Sequence, residues 1–237
     1  MTAVVTTNTS RTRAGGYVHA AGWVAGLAVG WGATPEAGDS HAEIATAYAD
    51  HPAQAIGQAL LTHGVAAAGL AVVAAGLLRW ARRTGSRAAR TAGWAGTAAA
   101  ALACVQLLLE LVSVPGADPA SPGTAGTLFD AGQRVDGVKM FALAVLAAGA
   151  CAATRHATLL RRRESLTGWA LAAAITLSGI GYVLLSDALT PVAFVSLPLL
   201  LVWIVTLGTA LARAGDGDAV SRPRSLAGAP GAPGPRR

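Results

Sequence analysis

The stretch Arg79–Trp94 reads RWARRTGSRAARTAGW, with five arginines (Arg79, Arg82, Arg83, Arg87, Arg90) and no acid. On either side, alanine, leucine, valine and glycine run on with almost no charge. About 20 such residues, at about 1.5 Å each, cross a hydrocarbon core of about 30 Å. A short basic link between two runs of that kind is a membrane hairpin whose turn belongs on the cytoplasmic side. Composition agrees, with 53% hydrophobic and 13% charged residues, whereas a soluble domain carries about 25% charge. The bilayer is the expected solvent.

Extended along the chain, this logic predicts an all-α, polytopic transmembrane helical bundle of six membrane-spanning helices. The spans are expected at 17–34, 54–78, 91–114, 133–155, 166–187 and 191–213. A disordered tail, 1–16, precedes this 17–213 domain. A second, 214–237, follows it and is too poor in large apolar residues to fold. Of the 18 basic residues, all but Arg134 and Lys139 then fall on one side. That asymmetry predicts a multi-pass plasma-membrane protein with both termini cytoplasmic. The sequence pI near 10.3 reflects arginines beside apolar spans, so the expected partner is the lipid bilayer and no nucleic acid.

Smaller features refine the layout. Trp23 and Trp31 bracket the first apolar run as interfacial aromatics do, which favours a span over a cleaved signal peptide. Gly22, Gly26 and Gly30 share one face of that run, where a helix backbone can approach closely. They mark a helix-packing face, and a candidate surface for a protein partner or self-association through helix 1. The external segment 35–52 carries Glu36, Asp39, Glu43 and Asp50. Ser40 and Glu43 have capping-box spacing, and Ile44 and Tyr48 share a face, which predicts a short helix on the outer surface. His41 and His51 show no ligand spacing, so no metal is expected. Cys104 and Cys151 sit about 13 Å apart in depth, too far for a disulfide, and read as small core residues. Pro115 stops the third span, and Pro198 predicts a kink in the sixth.

His63–Gly76 (HGVAAAGLAVVAAG) and Asp136–Gly149 (DGVKMFALAVLAAG) match at eight of fourteen positions. Each is followed by arginines and then Gly-Trp, which suggests three repeated helical hairpins. The register puts His63 and Asp136 at equivalent places toward the outside. Gln106 and Glu110 share a helix face in the same layer, Lys139 follows Asp136 by three, and Asp187 ends the fifth span there. Ionisable residues within spans are costly and usually face the interior or water. One reading is an outward-facing polar cluster of His63, Gln106, Glu110, Asp136, Lys139 and Asp187, with Glu110 paired to Lys139 or Arg134. The other is a set of interfacial residues with snorkelling cations and one satisfied acid.

With those residues in view, the chain resembles uncharacterised six-helix integral membrane proteins of high-GC Gram-positive bacteria. The likeness lies in Asp136-Gly-Val-Lys139, in Leu166–Leu185 (LTGWALAAAITLSGIGYVLL) and in Leu197–Gly208 (LPLLLVWIVTLG). It implies the architecture and no activity. Function is read in the order of a non-enzymatic structural or regulatory membrane subunit, a small carrier or ligand-binding protein using the outward cluster, and a membrane enzyme. For the last, no catalytic residues or cofactor are expected. The sequence has no HExxH, no acidic doublet and no Ser-His pairing, and His19 and His63 are expected near opposite membrane faces.

Overall fold

The computed structural model describes residues 3–154, 158–186 and 188–220. Among these the regular structure is helical throughout, with no strand. In chain order the helices are α1 (Ala3–Gly30), α2 (His41–Asp50), α3 (Pro52–Thr84), α4 (Arg87–Ser113), α5 (Gly123–Ala153), α6 (Arg162–Leu184) and α7 (Ala193–Val220). A short 3₁₀ turn, Thr190–Val192, precedes α7. Five of them, α3 to α7, are long and apolar enough to cross a membrane, against the six expected. Their outward faces carry Trp94, Leu108, Val112 and Val202 exposed. Apolar surface on that scale fits lipid better than water.

The arginine link is as tight as the sequence suggests. Gly85 ends α3 in a left-handed conformation (φ 71°), which glycine adopts without a Cβ penalty. Ser86 then caps α4, its hydroxyl accepting from the Ala89 N–H at 3.3 Å. Adjacent helices therefore run antiparallel and gather the arginines at one end of the bundle. Two contacts tie that end together. Arg79 Nη2 donates to Thr12 Oγ1 at 3.3 Å, and Arg213 Nη2 donates to Glu164 Oε1 at 3.0 Å. Below them lies the main core, where Leu77, Leu146, Leu171, Trp203 and Ile204 are buried.

α1 begins at Ala3, so residues 3–16, expected as a disordered tail, are helical, with Thr12 buried. Likewise α7 runs to Val220 across the expected boundary at 214. Residues 221–237 lie outside the described residues, as do Arg155, His156 and Asp187. α1 lies antiparallel along α3: Thr12 is beside Gly76, Gly15 beside Gly69 and Val72, Gly22 beside Leu61 and Ala66, and Gly26 beside Thr62. A Cβ on Gly69 would fall 2.6 Å from the Gly15 carbonyl oxygen, so both positions require glycine. The expected glycine face of helix 1 thus packs against α3 of the same chain. Of the two cysteines expected in the core, Cys151 is buried but Cys104 is exposed on the outside of its helix.

At the end opposite the arginines sits a second, smaller core. Ser40 and Glu43 form the expected capping box: Ser40 N–H donates to Glu43 Oε2 at 2.8 Å and Glu43 N–H to Ser40 Oγ at 3.4 Å. The Ser40 hydroxyl and N–H hold the Glu43 carboxyl below its usual pKa. Ile44, Ala45 and Tyr48 pack against Ala55, Val114 and Ala125, which seats α2 across the helix ends. Burial there pushes the Tyr48 phenol above its usual range, and the charge of Glu110 adds to the shift.

Candidate functional site

Five of the six residues expected in the polar cluster gather beneath α2. Four are buried: His63, Gln106, Asp136 and Lys139. Glu110, with its side chain 32% exposed, completes the group. Asp187 lies outside the described residues. The pairing differs from expectation. Lys139 bonds Asp136, three residues before it on α5, and donates to Gln106 Oε1 at 2.6 Å. Gln106 Nε2 donates in turn to Asp136 Oδ1 at 3.0 Å and to the Gly132 carbonyl at 3.3 Å. Glu110, expected to pair with Lys139 or Arg134, is instead 3.4 Å from His63 Nε2. The reason is local. A partner on Lys139's own helix needs no second helix to be ordered first, and Gln106, one turn before Glu110, bridges α4 to that pair.

His63 sits where α3 departs from regular α geometry. Over Leu60–Val65 the bonding shifts by one residue into a π turn, and the Ala66 N–H reaches back to the Leu61 carbonyl. Such turns re-aim side chains and are frequent at functional sites. This one lies where Gly22 and Gly26 of α1 approach most closely. It directs His63 toward Glu110 on α4 and against the edge of Trp23, at 6.1 Å between ring centroids. Trp23 also faces Lys139, whose Nζ stands 5.6 Å from the ring centre. Trp23 is therefore part of the cluster, whereas Trp31 is 87% exposed.

His19 is the residue that sequence reasoning misplaced. Its Nδ1 lies 2.8 Å from the Ala66 carbonyl oxygen, within a turn of His63. Depth counted from Tyr17 sets it near the wrong face, because α1 starts at Ala3 and slides along α3 by the register given above. A usable signal was present: His19 falls in the same stripe as Gly15, Gly22 and Gly26, so it shares their face. A carbonyl only accepts, so Nδ1 carries the hydrogen and, in the neutral ring, Nε2 keeps a lone pair. His63 Nε2 stands 3.4 Å from Glu110 Oε1. Two ring nitrogens, His19 Nε2 and His63 Nδ1, are buried without a hydrogen-bond partner.

These groups form one wall of a cavity of about 580 Å³. It lies within the half of the bundle that α2 covers, between α1, α3, α4, α5, α6 and α7. The rest of its lining is largely apolar and aromatic, with Trp31, Tyr48, Phe129 and Phe194 toward the helix ends and Leu70, Leu143 and Ile175 deeper in. Ser196 joins this lining and hydrogen-bonds Ser178 of α6 at 2.9 Å. A mostly apolar concavity with a few converging polar groups is the usual form of a small-molecule site. His41 contacts Asp130 at 3.2 Å outside this cavity. Among the described residues no three His, Cys, Asp or Glu side chains are grouped to hold a metal ion. Comparison of the chain with protein-family models, curated proteins and solved structures finds no match.

Proposed function

We propose that the chain is a multi-pass plasma-membrane protein that binds a small molecule in a pocket open to the outside. Six spans with both termini cytoplasmic suit this reading. The sixth is α1, whose Thr12–Gly30 stretch follows α3 for about 27 Å, close to the thickness of a hydrocarbon core. With the arginine end cytoplasmic, the cavity lies in the outer half.

One observation carries the proposal: a cavity of about 580 Å³ is lined by His19 and His63, each with a buried ring nitrogen that has no hydrogen-bond partner. Buried polar groups are normally satisfied, and each exception needs a reason. Charged groups within spans are costly and tend to mark pathways or binding sites. A role as a structural subunit docked through helix 1 draws less support, because the face formed by Gly22, Gly26 and Gly30 already meets α3.

The test uses two neighbouring positions of α4. Leu109 lines the cavity, whereas Leu108 is 62% exposed on the outside of the bundle. In a Cys104→Ala, Cys151→Ala background, a membrane-impermeant thiol reagent applied to cells should modify Leu109→Cys and spare Leu108→Cys. Failure to modify Leu109→Cys, or equal reaction at both, would remove the water-filled pocket.

A further inference from the structure

The hydrogen-bond and charge inventory of the wall limits what the pocket can hold. Lys139 is committed to Asp136, to Gln106 Oε1 and to the face of Trp23. The Gln106 amide is committed to Asp136 and the Gly132 carbonyl. The charged group of the cluster left without such a commitment is Glu110. Its side chain is 32% exposed, lines the cavity and faces His63 Nε2 at 3.4 Å. The other two carboxylate and ammonium groups of the lining, Asp136 and Lys139, are paired with each other. Arg134 is exposed and does not line the cavity.

Resting on the pocket reading above, we propose that the ligand is a small organic cation, a protonated primary or secondary amine on an apolar body. Its N–H groups donate to the Glu110 carboxylate, which is partly exposed in the lining. Its charge pairs with that carboxylate. Its apolar part lies against Trp31, Tyr48, Phe129 and Phe194, whose ring faces also favour a cation. A carboxylate or phosphate ligand would meet Glu110 directly and find the Lys139 ammonium already taken.

One experiment separates the ligand class from the pocket itself. The Leu109→Cys protein is treated with trimethylammonioethyl methanethiosulfonate and, separately, with the anionic sulfonatoethyl reagent. Ser121→Cys, in the exposed loop after α4, is the reference. The cationic-to-anionic rate ratio at position 109 should exceed that at position 121 by roughly tenfold, as charge in a low-dielectric cleft concentrates counter-ions. Glu110→Gln should return the ratio to the reference value, and Glu110→Asp, which keeps the charge, should retain it. Naphthylmethylamine should protect Leu109→Cys at concentrations roughly tenfold below those needed of naphthylmethanol or naphthoate. A cysteine at 109 inert to both reagents overturns the pocket and this proposal together. A reactive cysteine with a reference-like or anion-favouring ratio, or with equal protection by all three compounds, overturns the cation assignment and leaves the pocket standing.

Discussion

Lys139 shows how the cost of a buried charge selects its partners. An ammonium within a span is stable only when its hydrogens are taken up, and Asp136, Gln106 and the Trp23 ring do that here. Removing one member of a buried pair strands the other, which costs more than losing both. Lys139→Met and Asp136→Asn should therefore each destabilise the protein, and the double variant should recover part of the loss. The expected coupling is on the order of 1 kcal/mol, since polar pairs in membranes are modest when measured. Lys139→Met with Glu110→Gln should be close to additive, because Glu110 faces His63. Unfolding in mixed detergent reads both cycles, and strict additivity for Lys139 with Asp136 would refute the pairing. Membership of the cluster was legible in the sequence because ionisable residues stand out inside apolar spans. The pairing was not, because it depends on how each helix is rotated and how far it slides, and no single segment encodes that.

Among the elements, α1 and α3 share a long close contact in which backbone meets backbone. A Cβ at Gly26 would fall 2.4 Å from Thr62 Cγ2, and one at Gly22 would fall 2.9 Å from the Ala66 amide nitrogen and the Leu61 carbonyl oxygen. Gly26→Leu should consequently push α1 off the π turn, weaken the protein by about 2 kcal/mol as overpacking does, and disturb His63. Gly123→Leu is the control, since nothing lies within 4 Å of its Cβ position. Equal melting temperatures for the two variants in detergent would mean that the α1–α3 contact is looser than described. Gly15 cannot serve as a control, because a Cβ there would meet Val72 at 2.8 Å. The glycine stripe, the capping box of α2 and the arginine hairpin were all readable, since each is a short-range pattern with a local physical cause. The π turn was not, because the residues LLTHGV have no signature of their own and the shift arises where α1 presses on α3. The short helix α2 was recognisable, but its seat over the cavity rests on Tyr48 meeting Phe129, 6.5 Å between ring centroids, across 81 positions of chain.

For the whole molecule, the question that decides the architecture is whether α1 crosses the membrane with the other five. Its composition is equivocal: Arg11, Arg13 and His19 interrupt it, and it falls outside the five helices apolar enough to span by themselves. Its packing is not equivocal. From Thr12 beside Gly76 to Gly30 beside Gln58 it accompanies α3, itself a candidate span, along about 27 Å of helix. That register is the support for counting α1 as a sixth span, as proposed above. Its polar residues then find partners inside the protein, as Thr12 does with Arg79 and His19 with the Ala66 carbonyl. Six spans put the N-terminus on the side of the arginine link; five would leave it on the side of the loop after α4. An N-terminal epitope tag should therefore behave like a cysteine at Ser86, protected in intact cells and exposed after permeabilisation, while a cysteine at Ser121 reacts in both. A tag that antibody reaches in intact cells, with Ser86→Cys still protected, would place α1 outside the membrane. The pocket would then lose the wall that carries His19 and Trp23.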